Sequence, residues 1–164
     1  MAEIVVADAS PVIALARIDQ ISLLPRIFSR VILPLSVYRE TQHRPELLDA
    51  RSIRAAGEHA LFSVHEQPIQ VIAGLPRGLG DGEADAISLA SQMHCGIFMD
   101  EKTGRAAAMA LGLKTIGTVG VLSLARDKGL VTELKPLIVR LQDSGYYLAA
   151  DLIENVLKAH GEWP

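Results

Sequence analysis

The feature that most constrains this chain is an alternation of short apolar runs with longer segments of helical spacing. Ile4 to Ala7, Val31 to Leu33, a run around Phe62 to Val64, Gly96 to Met99 and Lys114 to Ile116 read as strands. Between them, Val12, Ile13, Leu15 and Ala16 continue a helix, Ile21 to Phe28 suggests a second short one, and Pro34 stops a strand before a helix carrying Val37, Glu40 and Thr41. Glu46 to Gly57 reads as a helix ended by a glycine, and Glu83 to Met93 sets Ala84, Ile87 and Ser91 at i, i+3 and i+7. Lys102 to Leu111 follows as another helix, and two apolar stripes close the chain, Leu134-Leu137-Ile138-Leu141 and Leu152-Ile153-Val156-Leu157. Short strands alternating with helices predict an α/β fold with a mostly parallel, helix-covered sheet. Ser10-Pro11, Ser36 and Thr118 stand where N-caps are expected, the last for a helix beginning at Val119. The least regular passage, Leu61 to Gly82, ends in a turn-rich stretch with Pro76, Gly78, Gly80 and Gly82.

Two of the strand runs end in an aspartate that stands just before a helix, Asp8 and Asp100. In an open α/β sheet, the carboxyl ends of strands flanking a switch in strand order form the ligand crevice. A carboxylate directly after an apolar strand therefore sits at that crevice, and two of them exceed what helix capping needs. Glu40 and Glu83 share the description of an acid near a helix start. Complementing the helix dipole is an adequate account of Glu83 taken alone, and a solvated helix face is an adequate account of Glu40. Hard oxygen ligands suit Mg²⁺ or Mn²⁺, which take one or two carboxylates directly and keep several waters. Clustered carboxylates raise one another's pKa, and a bound dication reverses that. Such an ion polarises a phosphoryl oxygen and activates a water for attack, so the implied reaction is metal-assisted phosphodiester hydrolysis.

Composition sets the frame for that chemistry. With 164 residues, the chain is expected to form one domain over residues 1–164 and to bury roughly 70% of its unfolded surface. Hydrophobic residues at 49% and charged residues at 21% fit a globular protein and exclude disorder. The longest apolar runs, such as Val119 to Ala125, fall short of the roughly 20 residues a membrane span needs. Met1-Ala2-Glu3 shows no export signal, and the single cysteine, Cys95, excludes an internal disulfide and a cysteine-based zinc site. A cytoplasmic location is expected. The net charge of −3 and aromatic content of 4% argue against a base-stacking platform. Nucleic-acid phosphates would have to be met by a metal and by local arginines.

The acids and their surroundings resemble those of the PIN-domain ribonucleases, with the nearest likeness to the VapC-like toxin group. The resemblance rests on Asp8-Ala9-Ser10-Pro11 after an apolar strand, Glu40 in an early helix, Gly82-Glu83-Ala84-Asp85-Ala86-Ile87 opening a central helix, and Met99-Asp100-Glu101. It extends through Gly117-Thr118-Val119-Gly120-Val121-Leu122 and Lys128-Gly129-Leu130. It implies a Rossmann-like three-layer sandwich whose sheet of about five parallel strands runs 3-2-1-4-5. It also implies an Mg²⁺- or Mn²⁺-dependent endoribonuclease, with Asp8 and Asp100 as direct ligands and Glu40 and Glu83 completing the acidic ring, often through water. Ser10 would hydrogen-bond Asp8 or a water beside the metal. A cognate antitoxin protein, an RNA substrate and a homodimer formed through exposed Leu and Ile stripes are the partners implied; a membrane is not.

Several positions remain open at this level. Many relatives carry an aspartate as the third acid; here it is Glu83, with Asp85 as the alternative two residues on, while Asp81 reads as a turn residue. Glu101 is either a fifth acidic group or the partner of Arg105 in an i,i+4 surface pair. Lys102, Thr103 and Arg105 stand beside the expected site, where arginine suits a bidentate phosphate contact. Thr118 either touches substrate or caps its helix. Histidines 43, 59, 65, 94 and 160 show no metal spacing, and Cys95 reads as core packing. No dinucleotide fingerprint follows the first strand and no phosphate loop exists, so NAD and ATP are not expected. Rival readings are a catalytically inactive PIN-like interaction module, an aspartate-dependent phosphatase, which normally wants a second acid where Ser10 stands, and a receiver domain, which needs an acidic neighbour for Asp8.

Overall fold

A computed structural model of the chain, describing residues 3–164, contains five strands. They are β1 (Ile4–Ala7), β2 (Arg30–Pro34), β3 (Ser63–His65), β4 (Gly96–Phe98) and β5 (Thr115–Ile116). All neighbours pair in parallel in the order β3-β2-β1-β4-β5. The order reverses at β1, which pairs β2 on one side and β4 on the other. Val5, Val6 and Ala7 are buried in succession. Since successive strand residues face opposite sides, both faces of the central strand must be covered, which makes the molecule three-layered.

The covering helices are α1 (Ala9–Arg17), α2 (Leu24–Ile27), α3 (Leu35–Thr41), α4 (Leu48–Glu58), α5 (Asp81–Met93), α6 (Lys102–Ala110), α7 (Thr118–Asp127), α8 (Lys135–Asp143) and α9 (Ala150–Ala159), with a 3₁₀ turn at Ile21–Leu23. Helix α5 packs across β1, β2 and β4 and against α3 and α6, while α1 packs on α3, α4 and α7. One apolar cluster runs from Val5 to Leu157, with Leu15, Ile32, Ile87, Phe98 and Leu122 among its fully buried members. Burying one such side chain stabilises the fold by about 1.5–3 kcal/mol. No helix among the described residues is long and apolar enough to cross a membrane.

Element types agree with the sequence reading, but several helix starts do not. Helices α1, α3 and α7 begin at Ala9, Leu35 and Thr118, with Asp8, Pro34 and Gly117 as N-caps, rather than after Ser10, Ser36 and Thr118. Each of these helices starts within a residue or two of a strand end, so the chain turns before the hydroxyl residue is reached. Asp81 is the first residue of α5 rather than a turn residue. Gly57 does not end α4; it lies inside the helix with the Phe62 ring against it, where a Cβ would come within 3.1 Å of that ring. The helix closes instead at His59, followed by Ala60 in the left-handed region.

Candidate active site

The strand order sets the site. Ala7 pairs with Phe98, and the Asp8 N–H donates to the Phe98 carbonyl at 2.9 Å, so Asp8 lies opposite Met99 with Asp100 one residue beyond. Adjacent strands stand about 4.8 Å apart. Both aspartates therefore leave neighbouring strands at the same edge of the sheet.

Asp8 is 3% exposed, and its side chain does not cap α1. Its pKa is raised from 3.8 to about 7. Burial is the main cause; the adjacent Ala9 N–H opposes it, and the negative charges of Glu83, Glu40 and Asp100 add to the rise. Those three charges reach Asp8 from α5, α3 and the end of β4, so elements distant in sequence converge on one buried carboxyl.

Glu40 is an exposed residue near the end of α3, with its carboxyl partly sheltered. Partial burial and the charge of Glu83 raise its pKa. Gly82 makes the approach possible: a Cβ there would fall 2.9 Å from Glu40 Oε2 and 3.3 Å from Val37 Cγ2. The glycine preceding Glu83 thus lets the first turn of α5 close on α3. Glu83 also has the local role expected of an acid at N3, since its Oε2 accepts the Gly80 N–H at 2.8 Å. Asp85 is engaged elsewhere, accepting the Ser36 hydroxyl at 2.5 Å, and it is not among the charges that raise the Asp8 pKa. Ser36 therefore bridges α3 to α5 instead of capping α3.

Asp100 is held by three donors. Oδ1 accepts the Thr118 N–H at 2.7 Å, and Oδ2 accepts the Thr118 hydroxyl at 2.6 Å together with the Tyr146 hydroxyl. The carboxylate lies at the N-terminus of α7, where the helix dipole favours negative charge. Gly117 opens the space, because a Cβ there would stand 2.6 Å from Asp100 Oδ1. Thr118, completely buried, orients Asp100 rather than capping its own helix. Burial and the neighbouring Asp100 charge push the Tyr146 phenol upward, so it stays a donor. The sequence reading did not single out Tyr146, which lies 46 residues from Asp100.

The flanking candidates are sorted by their contacts. Glu101 caps α6, its Oε2 accepting the Gly104 N–H at 2.7 Å, and its pKa is lowered mainly by that bond. The i,i+4 pair with Arg105, one of the two readings left open for Glu101, does not form; Arg105 Nη1 donates to the Met99 carbonyl at 3.0 Å. Lys102 and Thr103 are exposed in the first turn of α6, and Ser10 is exposed in the first turn of α1. Cys95 is half-buried against the core, and burial raises its thiol pKa.

Oxygen donors and an excess of negative charge around Asp8 fit a hard divalent cation. Among the described residues, no three His, Cys, Asp or Glu side chains stand at ligand spacing around one point. An ion bound there would have at most two of these carboxylates as direct ligands, with water completing its shell. A carboxylate offers about four lone-pair sites; with three engaged, Asp100 retains one, on Oδ1.

The family model described as a PIN domain, DUF3368, matches residues 4–162. The chain belongs to this PIN-domain family. Its five-stranded parallel sheet in the order 3-2-1-4-5 agrees with that fold. Membership points to a nuclease-type function. No curated protein matches the chain.

Proposed function

We propose that residues 1–164 form one divalent-metal-dependent endoribonuclease domain that acts as the toxin of a toxin–antitoxin pair. The observation that carries the nuclease reading is the convergence of three carboxylate charges on buried Asp8, at the crevice edge of adjacent strands, in a PIN-domain chain. Asp8 and Asp100 would hold Mg²⁺ or Mn²⁺ directly, and Glu40 and Glu83 would hold its waters. When bound, the ion supplies charge neutralisation and a more acidic water for phosphodiester hydrolysis.

The chain's own residues set the rest of the chemistry. Thr118 and Tyr146 fix the Asp100 carboxylate so that its remaining Oδ1 lone pair faces a defined direction. Gly82 and Gly117 admit Glu40 and Asp100 to the positions that side chains would otherwise fill. Burial keeps Asp8 out of bulk water, which strengthens every electrostatic contact it makes. Arg105, held by the Met99 carbonyl, would meet a phosphate of the substrate.

The experiment is RNA cleavage by the intact chain with Mg²⁺ or Mn²⁺, with chelator, and in the Asp8→Asn and Asp100→Asn variants. Metal-dependent cleavage lost in both variants supports the reading; cleavage surviving both assigns the activity elsewhere. Growth arrest on expression, relieved by Asp8→Ala, tests the toxin role and hence the expectation of an antitoxin partner in the cytoplasm. Normal growth at high expression of an active enzyme leaves a housekeeping ribonuclease.

A further inference from the structure

A pocket of about 720 Å³ opens beside Asp100, between the start of α6, the first turns of α7 and the segment leading into α9. We infer that this pocket is a single-nucleotide subsite, taking one base against Tyr147 and the adjoining phosphate on Lys102 and Arg105. Its volume lies within the roughly 300–1,000 Å³ of small-ligand sites.

The chain has 4% aromatic residues and only three tyrosines, yet Tyr146 and Tyr147 both line this one pocket. Tyr146 is engaged with Asp100, while Tyr147 is 85% exposed and contributes little to the core. The exposed Tyr147 ring lines the same pocket as Leu148 and Leu152, which supplies a base with a stacking partner and apolar surface. This is a slot for one base, not the multi-base platform that the composition argues against.

The charge pattern selects the other half of the ligand. Lys102 and Arg105 line the pocket, and among the described residues neither forms an ion pair with a carboxylate. Arg105 is already held through Nη1 by Met99, so binding a phosphate would lose little side-chain freedom. One anchored and one free cation beside apolar and aromatic side chains complement a group carrying both a phosphate and a flat ring. Asp100 lines the same pocket, so a base seated there belongs to a nucleotide beside the proposed cleavage point. Only that last step rests on the nuclease reading; the pocket's ligand class does not.

The test uses the four nucleoside monophosphates with chelator present, read by amide shifts of Gly117 and Gly120, which line the pocket. A mononucleotide has no internal phosphodiester, so binding is read apart from cleavage. The expected result is saturable shifts at both glycines, weakened about tenfold by Tyr147→Ala, preserved by Tyr147→Phe, and weakened by Leu152→Asp. Asp8→Asn leaves these shifts in place while removing RNA cleavage. Saturable binding without any RNA cleavage retains the subsite and sinks the nuclease reading. Cleavage with no saturable shifts does the reverse. The inference is overturned if inorganic phosphate alone reproduces the shifts, if Tyr147→Ala binds as well as the parent, or if N-acetyltryptophan saturates the pocket and no nucleotide does.

Discussion

Replacing Asp8 by asparagine should stabilise the metal-free protein while abolishing its activity. Asp8 keeps its proton in the folded state up to about pH 7, against 3.8 for an ordinary aspartate. At about 1.4 kcal/mol per pH unit, ionising it in place disfavours the folded state by roughly 4 kcal/mol. Because the unfolded chain loses this proton first, the Asp8 contribution falls as pH rises from about 4 to about 7 and is constant above. Asparagine removes the charge but replaces one acceptor by an amide, so the expected gain at about pH 8 is roughly 2–4 kcal/mol. For a chain of this size that corresponds to a Tm increase of roughly 5–15 °C. At about pH 4 the gain should shrink below about 0.5 kcal/mol, since both states of the parent then hold much of the proton. Urea unfolding of parent and variant with chelator, at about pH 4 and about pH 8, measures both values. Adding Mn²⁺ should narrow the difference at the higher pH by stabilising the parent alone. A variant no more stable than the parent at about pH 8, or stabilised equally at both values, would refute the reasoning.

Other perturbations follow from the same contacts. Thr118→Val removes one of three donors to Asp100 and should lower kcat about tenfold or more, with Thr118→Ser restoring most of it; equal loss in both would mean the methyl group matters instead. Gly117→Ala puts a Cβ 2.6 Å from an oxygen held by a further bond and should reduce RNA cleavage by about 100-fold. Gly82→Ala meets the flexible end of Glu40 at 2.9 Å and the Val37 side chain at 3.3 Å, with the Val37 backbone at an ordinary 3.8 Å. Chemical denaturation should therefore show a stability change of about 1 kcal/mol or less, alongside a clear loss of activity. Glu162→Gln weakens the anchor that accepts the Leu134 and Lys135 N–H groups and faces Arg126. Hydrogen exchange should then rise in α8 before it rises in the sheet.

The centre of the sheet was readable from sequence because β1, β2 and β4 are short, apolar and mostly buried, so each stands out as a run between helical stretches. The edge strands β3 and β5 are only partly buried and stand out less. The place of Asp8 and Asp100 at one edge of the sheet was readable because each ends an apolar run that feeds a helix. Gly82-Glu83 was readable as a motif, although only the structure explains its glycine, which clears space for Glu40. Ser36 and Thr118 were misread as caps for one shared physical reason. Serine and threonine near a helix start usually cap it, whereas here Ser36 and Thr118 donate to the carboxylates Asp85 and Asp100 from other elements. Such long-range pairings leave no local pattern. The same holds for Tyr146, though two adjacent tyrosines in a chain this poor in aromatics were a signal that sequence alone could have offered. Glu101 illustrates the limit of local spacing: the i,i+4 offset to Arg105 allowed a surface pair, but the helix cap and the Met99 carbonyl engage the two groups instead.

Mn²⁺ titration of the purified chain, followed by calorimetry in the parent and in Asp8→Asn and Asp100→Asn, tests the shared site most directly. The expected result is a saturable binding event in the parent that each substitution alone abolishes or weakens at least about tenfold. Parent-like Mn²⁺ binding in either variant would mean that the two aspartates do not hold a common ion.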